Sequence, residues 1–68
     1  MTYAEQQLGR AKQLCQCGRD AAAKDAACRA ISNLLDLPVP DVAVAYESAD
    51  EAIAAAESDV TRELIDNY

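Results

Sequence analysis

The stretch Leu37-Pro38-Val39-Pro40-Asp41 decides how this chain folds. Each proline disfavours helical backbone in the residue before it, and the fixed φ angle of Pro40 suits the first turn of a new helix. We therefore predict a turn at residues 37–40, where the chain reverses between helical segments.

On the C-terminal side of this turn, apolar residues recur every three or four positions, which places them along one face of a helix. The spacing predicts one long helix over about residues 41–66. Ser48-Ala49-Asp50-Glu51 has the form of a capping box and offers a competing start at Ala49. Val42–Tyr46 would then be a short strand, which needs a second copy to pair with. The apolar stripe consists of Val42, Tyr46, Ala49, Ile53, Ala56, Val60 and Leu64.

On the N-terminal side, Thr2-Tyr3-Ala4-Glu5 is another capping box and predicts a helix over about residues 3–17. Cys17-Gly18-Arg19-Asp20 offers a glycine that ends this helix and an aspartate that caps the next, over about residues 21–36. The apolar stripe also changes sides near this point, since Cys28, Ile31 and Leu35 lie nearly opposite the earlier set. That earlier set consists of Ala4, Leu8, Ala11, Cys15, Gly18 and Ala22.

These segments predict an all-α fold, a small helical hairpin or three-helix domain spanning residues 1–68. The core is expected to be thin, because the chain holds 15 alanines against 13 leucines, isoleucines and valines. Chains this short usually need a disulfide framework, a metal or oligomerisation. We therefore expect homodimerisation to complete the fold by covering Leu34, Leu35, Ile53, Val60, Leu64 and Ile65.

Charge is distributed very unevenly. Residues 1–35 carry five basic and three acidic side chains, a net charge of +2, whereas residues 36–68 carry one basic and nine acidic, a net charge of −8. The overall charge of −6 argues against direct contact with nucleic acid or an anionic membrane. Either the acidic half is a solvated surface or it binds a basic protein. The candidate partner-binding residues are Glu47, Asp50, Glu51, Glu57, Asp59 and Glu63.

The residue types needed for catalysis and metal binding are scarce. The chain has no histidine, so its serines and cysteines lack the usual general base, and we expect no catalytic residue and no enzymatic activity. Cys15 and Cys17 would point about 200° apart on a helix and would not chelate one ion. We interpret the cysteines as small packing residues, with Cys17 exposed, and expect no metal or cofactor. Their odd number and the absence of a basic, apolar leader indicate a cytoplasmic protein.

The function that fits these features best is a small acidic interaction protein that binds and inhibits or modulates a larger, basic-surfaced protein. Small size, acidity and the lack of catalytic machinery are shared, in a general way, with phage and mobile-element inhibitors of the anti-CRISPR or anti-restriction type. No motif carries that likeness. The alternatives are a small transcriptional regulator or assembly factor that uses its first two helices, through Arg10, Arg19 and Lys24, and a thiol-metal or redox protein.

Overall fold

Helices make up 81% of the part of the chain that the computed structural model describes, residues 2–66. They are α1 (Tyr3–Gln16), α2 (Asp20–Leu35), the short α3 (Val39–Ala43) and α4 (Ala49–Asp66). No strand occurs within residues 2–66. The prediction of an all-α fold is therefore confirmed.

Hydrogen bonds fix both ends of α1 as the sequence predicted. Thr2 Oγ1 accepts from the Glu5 amide at 3.2 Å, and the Glu5 carboxylate accepts from the Thr2 amide at 3.4 Å. At the other end, Gly18 has a φ of +78° and donates to the Cys15 carbonyl at 3.1 Å, while Arg19 donates to the Leu14 carbonyl at 2.9 Å. These two bonds form a Schellman motif, in which glycine adopts the left-handed conformation without strain. The predicted break between the first two helices is confirmed.

The prediction that Asp20 caps α2 is wrong. Asp20 is the first helical residue, and Arg19 occupies the cap position without a side-chain hydrogen bond. The reason is that the Schellman turn ends at Arg19, so the backbone of Asp20 is already helical. Its carboxylate instead lies in the first turn, where the helix dipole stabilises negative charge. At its C-terminal end, α2 closes on Asp36, which has a φ of +57°.

The prediction of one continuous helix over residues 41–66 is also wrong, and so is the alternative of a strand at Val42–Tyr46. The chain forms α3, which ends at Ala43, and starts α4 at Ala49. Ser48 Oγ accepts from the Glu51 amide at 3.2 Å, and the Glu51 carboxylate accepts from the Glu47 amide at 3.2 Å. The competing start at Ala49 was therefore the correct one.

The position at which α4 must begin in the bundle explains this break. A straight helix over residues 41–66 would be about 39 Å long, whereas the longest extent of the molecule is 35 Å. Because α3 follows the end of α2 while α4 begins beside the start of α2, the connection must first run back along α2, which is about 24 Å long. Residues 44–48 complete that return.

The three long helices form a bundle in which α1 is antiparallel to both α2 and α4. Cys15 near the end of α1 contacts Asp50 at the start of α4, and Lys12 pairs with Glu57 further along. Helix α2 contacts every other helix. The radius of gyration is 10.9 Å, close to the value of about 11 Å that a compact chain of this length has.

The core between these helices is built largely of alanine. Nine of the fourteen buried apolar residues among residues 2–66 are alanines, and their small side chains let the helices approach closely. Ile31 and Cys28 are the largest fully buried side chains. No helix of the described chain combines the length and apolarity that crossing a membrane requires.

Candidate functional site

The bundle brings two of the predicted partner-binding residues together at one end. Glu47 and Asp50 line an open cleft of about 360 Å³, which Cys15, Asp20 and Lys24 also line. We call this hollow the acidic cleft. It lies where α2 and α4 both begin, so the positive ends of two helix dipoles stabilise its carboxylates. Three carboxylates against one amine give the cleft a net charge of −2.

Cys15 is the half-buried thiol of the acidic cleft. Its Sγ donates to Asp50 Oδ1 at 3.6 Å, which links α1 to the start of α4. Partial burial, followed by this hydrogen bond and the negative charge of Asp50, raises the pKa of Cys15 above its ordinary value of 9.0. The thiol is therefore protonated near neutral pH and acts here as a hydrogen-bond donor, not as a thiolate nucleophile.

The other four predicted residues lie elsewhere. Glu51 is exposed beside the cleft, and its carboxylate accepts a hydrogen bond from the Glu47 amide. Glu57 is an exposed residue on the flank of α4 that faces α1, and its carboxylate lies 3.4 Å from Lys12 Nζ. Both partners of that pair are about half exposed, so the interaction is screened and contributes little to stability.

Along α4, Asp59 lies about 13.5 Å and Glu63 about 19.5 Å from Asp50 in the acidic cleft. Asp59 is half-buried, whereas Glu63 lines a small hollow with Thr2, Leu34 and other residues at the opposite end of the bundle. At 100° per residue, Asp59 also lies about 180° around the helix from Asp50. The six carboxylates therefore do not form one continuous surface.

Sequence reasoning missed a basic feature on the opposite side of the bundle. Arg10, Arg19 and Arg29 line two adjoining hollows between α1 and α2, of about 200 and 450 Å³, which share Arg10 and Leu14. We call these hollows the arginine groove. On a single helical wheel the three arginines are scattered. Folding the chain into a hairpin about the predicted break at Gly18 would have placed Gln7 beside Arg29 and Leu14 beside Ala22, as observed.

Arg29 is the most constrained of these arginines. Its Nε donates to Asp25 Oδ2 at 2.8 Å. This bond, the charge of Asp25 and a hydrogen bond with Tyr3 raise the pKa of Arg29 further above its ordinary value. Lys24 lies in the acidic cleft, so the structure separates it from Arg10 and Arg19, with which the regulator hypothesis had grouped it.

The three cysteines occupy three different environments. Cys15 lies in the acidic cleft and Cys17 in the arginine groove, so the predicted divergence of these two side chains is confirmed. Cys28 is fully buried, and burial is the main cause that raises its pKa above 9.0. All three are free thiols, and among residues 2–66 no cluster of three or more potential ligands could hold a metal ion.

Comparison of the chain with protein-family models, curated protein sequences and solved structures found no significant match.

Proposed function

We propose that this chain is a small, non-catalytic interaction protein that binds a larger, basic-surfaced protein and inhibits or modulates it. The observation that supports this proposal best is the acidic cleft, where Asp20, Glu47 and Asp50 surround a single lysine in an open hollow of about 360 Å³. A guanidinium or ammonium group of a partner is the ligand whose charge complements such a hollow.

The cleft is pre-organised for this contact. Asp20 and Asp50 lie in the first turns of two helices, and the bond from the Glu47 amide to Glu51 holds the segment that enters α4. Carboxylates on helices lose less backbone freedom on binding than carboxylates on a mobile loop. Glu57 lies about 10.5 Å from Asp50 along α4 and extends the negative flank beyond the cleft.

The target class that we propose is a complex that handles nucleic acid, because such complexes present positive surfaces to phosphates. A compact acidic protein that covers one of these surfaces would inhibit the complex, as anti-CRISPR and anti-restriction proteins do. We place this interaction in the cytoplasm, in keeping with three free thiols, of which Cys17 is exposed.

A pull-down with quantitative mass spectrometry from the native host tests this proposal. The cleft variant Glu47→Lys with Asp50→Lys should lose the main captured protein. The matched variant Asp41→Lys with Asp59→Lys makes the same charge change at residues that do not line the cleft and should retain it. Equal capture by the wild type and both variants would refute the proposal.

We also propose that two copies associate through the end of the bundle opposite the acidic cleft. The start of α1 and the ends of α2 and α4 meet there and leave large apolar side chains exposed, with Leu35 at 51% and Ile65 at 65%. Val60, which the sequence predicted to be covered by a second copy, is instead already buried within one copy. The exposed apolar residues at this end are Tyr3, Leu35, Leu37, Leu64 and Ile65.

Analytical ultracentrifugation at tens of micromolar should report a dimer. The variant Leu35→Glu with Ile65→Glu should sediment as a folded monomer, because charges would be buried without partners in the interface. Val44→Glu, at an exposed apolar residue between α3 and α4, should leave the dimer intact. A monomeric wild type would refute this proposal.

A further inference from the structure

The arginine groove is an exposed basic hollow on a strongly acidic molecule. Its three arginines and Asp25 give it a net charge of +2. Because the whole chain has a net charge of −6, the residues outside the groove carry −8. Arg10, Arg19 and Arg29 are all exposed, and Arg10 lines both parts of the groove. The basic charge is therefore local and lies on the α1 and α2 side of the bundle, away from the outer face of α4.

The groove has an apolar floor as well as a basic rim. Leu14, Ala22 and Ala26 lie between the two helices, and Leu14 is half-buried and shared by both hollows. Gln7 and Gln13 add amide groups along the rim. A ligand that fits this arrangement combines carboxylates that reach the guanidinium groups with an apolar side chain that covers Leu14.

Arg29, at one end of the groove, is oriented by a neighbouring carboxylate. Its Nε donates to Asp25 Oδ2 at 2.8 Å, so part of the ordering cost of binding is already met. Arg19 lies at the other end, ten residues away along the chain, which is about 15 Å along α2. This span suits about three turns of a helix or a short extended segment, and it is too short for many phosphate contacts.

We propose that the arginine groove binds an acidic segment of a second partner protein, with apolar side chains interspersed among its carboxylates. A single-stranded nucleic acid is a poorer fit, because none of the residues lining the groove is aromatic and so none offers a stacking platform. The net charge of −6 also repels long polyanions. With the acidic cleft, this groove gives the protein two binding sites of opposite charge.

Fluorescence anisotropy with a synthetic peptide tests this inference. The probe is a labelled peptide of about 14 residues with glutamates and leucines at helical spacing. Wild-type protein should bind it saturably, and Arg10→Glu with Arg19→Glu should weaken binding at least about tenfold. The matched control, Lys12→Glu with Arg62→Glu, makes the same charge change at exposed residues outside both the groove and the acidic cleft, and should bind within about twofold of the wild type. Circular dichroism checks that each variant is folded.

Four results would overturn the inference. The first is the absence of saturable binding by the wild type. The second is equal weakening in the groove variant and the control. The third is tighter binding of an oligothymidylate of about 12 nucleotides than of the peptide, which would make the groove a nucleic-acid site. The fourth is a change in oligomeric state in the groove variant, which would make the occupant a second copy of this chain.

Discussion

Removing methyl groups from Ile31 tests the packing of the alanine-rich core. Ile31 lies on α2, the helix that contacts every other helix, and only 1% of it is exposed. Leu35 lies one turn further along the same helix and is 51% exposed. The two residues have the same number of carbon atoms but opposite surroundings, so they form a matched pair.

The expected losses follow from burial. Ile31→Val should cost about 1 kcal/mol and Ile31→Ala about 2–5 kcal/mol, because alanine neighbours cannot move to fill the cavity. Leu35→Ala should cost less than about 1 kcal/mol. A chain of this length has a free energy of unfolding of about 3–10 kcal/mol. Ile31→Ala therefore removes a large share of the total stability, and Ile31→Val lowers Tm by about 4–8 °C.

Urea unfolding followed by circular dichroism measures these differences at a protein concentration low enough that the chain is monomeric, because Leu35 is exposed in one copy but lies in the proposed interface between two. The midpoint should fall in the order wild type, Leu35→Ala, Ile31→Val, Ile31→Ala, with little change in the slope of the transition. Equal losses at Ile31 and Leu35 would refute the argument, since both positions would then be equally buried in the folded state.

Two further predictions concern backbone and thiols. Gly18→Ala should destabilise the protein by about 1–2 kcal/mol, because Gly18 has a φ of +78°. Gly9→Ala should stabilise it by up to about 1 kcal/mol, because Gly9 lies within α1 and a Cβ there meets no other atom within 4 Å. Urea unfolding in which both variants change the free energy of unfolding in the same direction would contradict this pair of predictions. In iodoacetamide labelling followed by mass spectrometry, exposed Cys17 should react first, half-buried Cys15 more slowly and buried Cys28 only on unfolding. Rapid labelling of Cys28 in the folded protein would show that the core is open.

Local signals in the sequence predicted the local features of the fold. Thr2 with Glu5, Gly18 and the two prolines each act within a few residues. The first pair and Gly18 mark the two ends of α1. The prolines mark the turn after α2, but it covers residues 36–38 and not the predicted 37–40, because α3 already begins at Val39. The alanine at position 49 was correctly placed as a possible helix start, because Ser48 and Glu51 form their hydrogen bonds without help from the rest of the fold.

Features that depend on helix direction could not be predicted in the same way. The stripe from Val42 to Leu64 keeps its phase across the break at residues 44–48, so periodicity alone gave one helix. The chain between α2 and α4 must run back along α2, and this requirement follows from how the helices pack in the bundle, not from any local sequence signal. The same limit applies to charge: the bundle separates Asp59 and Glu63 from Asp50 and brings Arg10, Arg19 and Arg29 into one groove.

The central claim is that carboxylates at the start of α4 bind a basic partner. The measurement that tests it most directly is the rate of association with the captured partner, as a function of salt, for the wild type and the Glu47→Lys with Asp50→Lys variant. We expect wild-type association to slow as salt rises, and the variant to associate at least about tenfold more slowly at low salt. Rates that are equal in the two proteins, with loss of binding only in Arg10→Glu with Arg19→Glu, would contradict the claim and favour a regulator that works through α1 and α2.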